Sequence, residues 1–134
     1  MLDRISMGGV VEPEQQLEKW QDAPWPDDNI VHENERFVVY KDGYPVTEGH
    51  LLFVPKTLEH VNIIQCFTAA YNWGNNGVVN GDFEAYNIGY NNGADAGQTV
   101  FWPHIHLIPR REGDVEDPRG GVRHVIPCKG NYKV

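Results

Sequence analysis

The chain has 134 residues, of which 40% are hydrophobic and 22% are charged, so it can form one domain around one core and is not disordered by composition. Its formal net charge of −8 argues against a protein that coats nucleic acid or binds anionic membranes, because phosphate groups attract basic surfaces. A few local arginines could still draw a small anionic substrate into a cleft.

The two cysteines and the N-terminal residues indicate the cellular compartment. Cys66 falls in a predicted helix, where it is expected to be buried, and Cys128 has no partner at metal-ligand spacing, so no disulfide framework is predicted. Residues 1–7 contain no apolar signal segment, and no apolar run is long enough to span a membrane. We therefore expect a cytoplasmic protein.

The first predicted elements are an arm and the strands of a sheet. Residues 1–29 are typical of an arm because prolines interrupt them, and a short helix is predicted over residues 14–20. Apolar residues between turn signals then predict strands. These strands cover residues 30–32, 36–41, 50–54, 83–90 and 100–108.

One main helix is predicted between the third and fourth strands. Apolar residues recur with a helical period from Leu58 until glycine and asparagine signals at 74–77. After Pro109 the only predicted element is a short strand over residues 122–126. The pattern predicts an α+β fold, with an antiparallel sheet of about five strands packed against the helix. The predicted buried face of the helix consists of Ile63, Ile64, Phe67, Ala70, Tyr71 and Gly74.

The most informative stretch of the chain runs over residues 97–110. His104 and His106 lie two apart on a predicted strand, so their side chains share one face, whereas Thr99 and Phe101 would face the core. An imidazole with a pKa near ~6.5 can act as a nucleophile, a proton carrier or a metal ligand. The plain alternative is that both rings only pack on the sheet.

Three segments together resemble the histidine triad (HIT) superfamily of nucleotide hydrolases and transferases. They are residues 45–56, 86–93 and 97–110, which follow the family's order and usual spacing. The resemblance implies the HIT-like fold for a domain core over residues 30–110, with 111–134 as a tail that completes the single domain. It also implies a homodimer that joins two sheets.

The resemblance implies that His104 is the nucleophile. It would attack the α-phosphate of dinucleoside polyphosphates or nucleoside phosphoramidates and form a covalent nucleotidyl-histidine, which water then hydrolyses. A nearby backbone carbonyl would hold its second ring nitrogen as a donor. Trp102 stands at the position of the family's first histidine, and we expect its indole to fill that space and to press on His50. His50 and His106 would belong to the histidine network of the site.

The remaining candidate site residues would bind or position the substrate. Gly97 permits close backbone approach, and Gln98 and Thr99 offer uncharged donors that suit a phosphate transition state, with Gln98 placed beside the catalytic histidines. By resemblance, Asn91 would contact a phosphate and Asp42 would bind the ribose hydroxyls. Ordinary turn chemistry is the alternative for all of these residues.

The arginines of the tail are further candidates. Arg119 and Arg123 lie in a Pro-Arg-Gly-Gly-Val-Arg run similar to tails of bacterial family members, and their guanidinium groups could bind a polyphosphate. The alternative is a solvated loop whose arginines pair with neighbouring carboxylates.

Two other functions stay open at this point. Trp102 in place of a histidine is compatible with a nucleotide-binding module that has lost turnover. A zinc-dependent hydrolase could use His104 and His106, with His50 as the third ligand, although no carboxylate lies at an obvious spacing. We expect no required cofactor and no protein-bound metal, and leave open a divalent metal that arrives with a polyphosphate. The partner expected is a small nucleotide.

Overall fold

The computed structural model describes residues 15–131 of the chain. Within this range one helix, α1, packs on one antiparallel sheet of five strands. The strands lie in the order β1-β2-β3-β5-β4, so the last strand in the chain lies between β3 and β4. The predicted α+β class is confirmed. The elements are β1 (Ile30–Glu33), β2 (Phe37–Lys41), β3 (Leu51–Pro55), α1 (His60–Val79), β4 (Ala85–Tyr90) and β5 (Ile105–Arg110).

Both faces of the central strands are buried. This explains why β2 and β3 are almost continuously apolar, since alternate residues must pack against different layers. Helix α1 covers one face, where Cys66 and Ala70 contact the core. The arm, residues 15–29, covers the other face through Leu17, Trp20 and Trp25. The strand residues on the arm side are Val38, Tyr40, Leu52 and Val54.

The register of the sheet places His106 in the middle of the arm-covered face. It pairs with Leu52 of β3 on one side and with Gly89 of β4 on the other. Gly89 has no side chain, and a Cβ built there would meet nothing within 4 Å. The sheet therefore carries an imidazole beside open space.

The predicted strand over residues 100–108 is wrong in its first half, because β5 begins only at Ile105. Pro103 cannot donate a ladder hydrogen bond. The Phe101 carbonyl instead accepts from the backbone N–H of Leu17 at 3.1 Å. Thr99, which was expected to face the core, is exposed, and Phe101 is half-buried.

The predicted buried face of α1 is confirmed at Ala70 and Gly74 and wrong at Ile64 and Tyr71, which are 49% and 58% exposed. Asn62 is buried instead, since its side chain accepts from Arg36 at 3.0 Å and donates to Thr57 at 2.8 Å. Small residues then let aromatic rings of the sheet approach the helix. The buried helix residues are Asn62, Cys66, Ala70, Gly74 and Gly77.

The two ends of the described chain contain turns of 3-10 helix. The helix predicted over residues 14–20 is replaced by turns over 15–19 and a 3-10 turn at Trp20–Asp22, while Glu14 lies outside the described residues. The strand predicted over 122–126 is a 3-10 helix, Gly121–Val125. Over residues 15–131 no helix is long and apolar enough to cross a membrane.

Candidate active site

His104 lies at the entrance to β5 and is held by a backbone carbonyl. Its Nδ1 is 2.8 Å from the oxygen of Trp102. A carbonyl oxygen only accepts hydrogen bonds, so Nδ1 carries the proton and Nε2 carries the lone pair. The ring is 9% exposed, and burial lowers the pKa of His104 below its usual value. At neutral pH this imidazole is uncharged and carries its lone pair on Nε2.

Trp102 supports the core with its side chain and His104 with its backbone. The indole is 2% exposed, lies among the apolar side chains of β2 and β3, and donates from Nε1 to the Pro55 carbonyl at 2.8 Å. The indole was expected to press on His50, but the ring that contacts His50 is that of His106, with centroids 5.1 Å apart. Because any residue supplies a carbonyl, a tryptophan at this position leaves the hydrogen bond to His104 intact.

His50 and His106 form a directed pair. The backbone N–H of Val46 donates to Nδ1 of His50 at 3.2 Å, so the proton of His50 lies on Nε2. That atom is 2.9 Å from Nδ1 of His106, which therefore accepts the bond. His106 must then carry its own proton on Nε2. This Nε2–H is buried and has no hydrogen-bond partner among the described residues.

Two neighbouring imidazoles thus have opposite tautomers. His104 presents a lone pair on Nε2 and His106 presents an N–H on Nε2, and their ring centroids are 5.2 Å apart. His106 also opens onto a cavity of about 340 Å³. The pair can attack an electrophile with one ring and donate to a developing negative charge with the other. Other residues that line this cavity are Val46, His50, Asn87, Asn91, Ile108, Val122 and Val125.

Burial keeps the three imidazoles uncharged. It lowers the pKa of His106 to about 4, with the neighbouring His104 and His50 adding to the effect. It also lowers the pKa values of His50 and His104, and the negative charge of Asp42 opposes these shifts only in part. The three imidazoles are therefore uncharged at pH 7, beside the carboxylate of Asp42.

Asp42 lies closer to the histidines than the sequence indicated. One carboxylate oxygen accepts from the backbone N–H of Tyr44 at 2.7 Å, and the other is 3.4 Å from Nε2 of His50. The sequence showed no carboxylate at an obvious spacing from the histidines, but the turn between β2 and β3 brings the Asp42 carboxylate close to His50. A ribose contact for Asp42 stays a prediction.

One group of metal-ligand type exists among residues 15–131, and it differs from the one predicted. Ligand atoms of Asp42, His50 and His106 all lie within 4.8 Å of one another. A metal on Nε2 of neutral His50 would require the proton on Nδ1, where the Val46 N–H already donates. The hydrogen bonds observed at His50 do not fit a resident metal ion.

The loop that leads to β5 holds its own side chains. Gln98 is 4% exposed, accepts from the Gly93 N–H at 2.8 Å and donates to the Val100 carbonyl at 3.1 Å. Both ends of its amide are thus engaged inside the loop. Gly97 has a φ of +96°, which glycine adopts without strain, and Thr99 is exposed. Contacts of the three residues with substrate stay predictions.

The tail is brought back to the sheet by Arg110. Its guanidinium donates to both carboxylate oxygens of Asp114 at 2.8 and 2.9 Å and to Asn87 of β4 at 2.7 Å. Beyond this clamp, Arg119 donates to Asp117 at 3.1 Å, and Nε of Arg123 donates to the Gly130 carbonyl at 2.9 Å. Phosphate contacts from either arginine stay predictions.

One site residue was missed by the sequence analysis. Trp25 of the arm contacts the ring of His104 edge-on, with centroids 5.0 Å apart. Its sequence signal, a tryptophan between Pro24 and Pro26, indicated only an irregular segment. No local pattern connects it with a strand so far along the chain.

The HIT domain family matches residues 23–113. The chain is 33% identical over 91 residues to adenylylsulfatase HINT3 of Arabidopsis thaliana, an alignment that covers 63% of this chain and 46% of that protein. It is 36% identical over 107 residues to a HIT-like protein of Methanocaldococcus jannaschii, covering 72% of this chain and 80% of that protein.

A solved structure has the same fold. A zinc-bound histidine triad family protein from Mycobacterium smegmatis matches with a TM-score of 0.59 and 30% identity, over 63% of this chain and 67% of that one. The predicted HIT-like fold is confirmed. The chain spans about half the length of the Arabidopsis relative.

Proposed function

The chain belongs to the HIT domain family, whose members include hydrolases such as an adenylylsulfatase, and we propose that it hydrolyses nucleotides through a covalent intermediate on His104. Its substrates would be dinucleoside polyphosphates or nucleoside phosphoramidates, attacked at the α-phosphate. The observation that carries this proposal is the opposite tautomers of His104 and His106. One ring offers a lone pair and its neighbour offers a proton donor.

The first step forms a bond between Nε2 of His104 and the α-phosphorus. The bond from phosphorus to the leaving group breaks, and its electron pair departs with the leaving atom. We assign donation to that developing negative charge to the Nε2–H of His106, which is buried and has no partner among the described residues. His104 keeps its proton on Nδ1, hydrogen-bonded to the Trp102 carbonyl, so the adduct has a positively charged imidazolium ring joined to a negatively charged nucleotidyl phosphate.

The second step releases the nucleotide. Water attacks the phosphorus, the P–N bond breaks, and the electron pair returns to Nε2 of His104. One proton of the water is lost to solvent and the products are a nucleoside monophosphate and free enzyme. Because His50 holds the tautomer of His106 through Nδ1, the same N–H donor is present in both steps.

Several residues support binding of the nucleotide. Asn91 lines the cavity beside His106 and is our proposed phosphate contact, while Gly97 and Thr99 flank Gln98 in the adjoining loop. The apolar wall from the tail, Val122 and Val125, suits a nucleoside or another weakly polar leaving group. We assign to Arg119 and Arg123 the outer phosphates of a polyphosphate. The name of the Arabidopsis relative adds adenylyl sulfate to the substrates worth testing.

We also propose a homodimer. β4 lies at one edge of the sheet, so its outer backbone groups lack a neighbouring strand within residues 15–131. Ile64 and Tyr71 on α1 are exposed apolar side chains, as is Val78 at 38%. An exposed helix face and a sheet edge together suit a second copy of the chain.

The test is to trap the intermediate. Wild-type protein is mixed with a diadenosine polyphosphate, an adenosine phosphoramidate or adenylyl sulfate, quenched without acid, and analysed by mass spectrometry. We expect an adenylyl adduct on His104. The His104→Ala variant should lose turnover and adduct and keep nucleotide affinity within about tenfold, because most binding contacts lie elsewhere. His60→Ala removes an exposed histidine at the start of α1 and should retain full activity.

Each other outcome contradicts the proposal in its own way. Nucleotide binding without release of AMP over long incubation would identify a binding module. Activity that is lost on exhaustive chelation and restored by zinc alone would identify a metal-dependent enzyme. Unchanged turnover in His104→Ala would move the nucleophile to another residue.

A further inference from the structure

The arm of the protein reaches the nucleophile directly. The ring of Trp25 contacts His104 with centroids 5.0 Å apart and an interplanar angle of 65°, and its other side contacts Tyr40 at 5.6 Å. Trp25 is itself half-buried. The indole is therefore part of the cover that leaves the His104 ring 9% exposed.

The position of Trp25 is fixed by its own short turns. The N–H of Ala23 donates to the Trp20 carbonyl at 3.2 Å, and the N–H of Asn29 donates to the Pro26 carbonyl at 3.0 Å. Pro24 and Pro26 on either side of the tryptophan restrict the backbone further. The indole is thus presented by a stiff segment, although this segment contains no long helix or strand.

The arm is also tied to the backbone that orients His104. Both the Gln16 side chain, at 2.7 Å, and the Leu17 N–H, at 3.1 Å, donate to the carbonyl of Phe101. Phe101 immediately precedes Trp102, whose own carbonyl accepts the His104 Nδ1 proton. The same fifteen-residue arm, 15–29, therefore contacts the nucleophile's ring and the segment that sets its tautomer.

We propose that Trp25 is a positioning residue for the nucleophile. A single hydrogen bond does not fix an imidazole, because the ring can still rotate about its Cβ–Cγ bond. The edge-on indole blocks that rotation and keeps water from one side of the ring. His104 then holds its Nε2 lone pair in one orientation, ready for attack. This inference rests on the proposed role of His104 in catalysis.

The charges around His104 make the proposal measurable by pH. The titratable groups that act on its ring are His106 on β5 and Asp42 in the β2–β3 turn. Tyr40 on β2 contacts Trp25 instead, and burial raises the pKa of Tyr40 to about 12. A change at Trp25 alters none of these charges. It admits water to the ring, and the pKa of His104 then rises towards ~6.5.

The experiment compares Trp25→Ala and Trp25→Phe with a matched control, Trp20→Ala. Trp20 belongs to the same arm and the same apolar cluster, and its ring lies 5.7 Å from the Lys56 ammonium. In Trp25→Ala, kcat should fall about tenfold or more while KM changes by less than about threefold. The acid limb of the pH profile should move to higher pH. Trp25→Phe keeps a ring and should recover part of both effects.

A second readout does not depend on turnover. Long-range ¹H–¹⁵N spectra of the histidines, with His104 assigned from the His104→Ala variant, report its tautomer and pKa. We expect wild type and Trp20→Ala to share one tautomer with a lowered pKa, and Trp25→Ala to show a raised pKa and mixed tautomers. If Trp25→Ala shifts the His104 signals but the wild type shows no turnover, the proposed function fails, and only the orientation of the His104 ring by Trp25 stands. An unmoved His104 in Trp25→Ala, or an equal shift in Trp20→Ala, overturns the inference.

Discussion

Replacement of Trp102 by alanine tests whether this residue supports the fold through its side chain and the nucleophile through its backbone. The indole is 2% exposed and makes one hydrogen bond, to the Pro55 carbonyl at 2.8 Å. Its buried apolar neighbours come from β2 and β3, two adjacent strands inside the sheet. Their packing cannot easily close around a missing indole.

The expected loss of stability follows from these contacts. Truncation of a buried tryptophan to alanine costs about 3–5 kcal/mol through lost transfer energy and the cavity left behind. The lost hydrogen bond adds about 1 kcal/mol, because the Pro55 carbonyl becomes unsatisfied. A domain of this size has a total stability of about 5–15 kcal/mol, so the alanine variant should lose a large fraction of it.

Urea denaturation followed by circular dichroism measures the effect, since tryptophan fluorescence changes with the mutation itself. Trp102→Phe keeps most of the apolar volume and loses the N–H, so its free energy of unfolding should fall by only about 1–2 kcal/mol. It should keep the wild-type kcat, because the backbone carbonyl that holds His104 is unchanged.

Two results would refute this reasoning. A loss under about 1 kcal/mol in Trp102→Ala, with an unchanged denaturant slope, would mean that the indole is solvated. A large loss of kcat in a fully folded Trp102→Phe would mean that the indole itself takes part in the site.

Two further predictions concern the buried imidazoles and the exposed helix face. The unfolded chain takes up protons on histidine near pH ~6.5, whereas the folded His106 has a pKa lowered to about 4, so the free energy of unfolding should fall as pH drops through this window. Between pH 7 and pH 5, the lowered pKa of His106 should reduce the free energy of unfolding by about 2 kcal/mol, as measured by urea denaturation. If His106→Gln loses as much stability over this pH range as the wild type does, the assignment is contradicted. Sedimentation should show a dimer that Ile64→Lys weakens, while Gln65→Lys, at an exposed neighbouring position of the helix, leaves it intact.

Local sequence was enough to predict where the candidate site lies. His104 and His106 have the spacing of residues on one face of a strand, and Pro109 follows them. The turn at 42–45 and the apolar runs on either side of it predicted β2 and β3 almost to the residue. Such features depend on near neighbours in the chain, and these are what periodicity reports.

The errors share one physical cause, which is competition from distant partners. The burial of Asn62 in α1 was not predicted, because its side chain is satisfied by Arg36 and Thr57, which lie outside the helix. The residues before Ile105 do not form the predicted strand, because the Phe101 carbonyl accepts a hydrogen bond from Leu17 of the arm instead of from a neighbouring strand. A hydrogen-bond partner from another segment outweighs local propensity, which is worth less than about 1 kcal/mol per residue.

By itself, the sequence determined the α+β class, the order of the strands along the chain, and the position of His104 and His106 in the candidate site. Only the tertiary structure decided what each ring can do, because a tautomer depends on which groups face its two nitrogens. Val46 holds the proton of His50 on Nε2, and His50 in turn holds that of His106 on Nε2. Trp25 reaches His104 from the far end of the chain. These contacts exist only once the sheet and the arm have packed together.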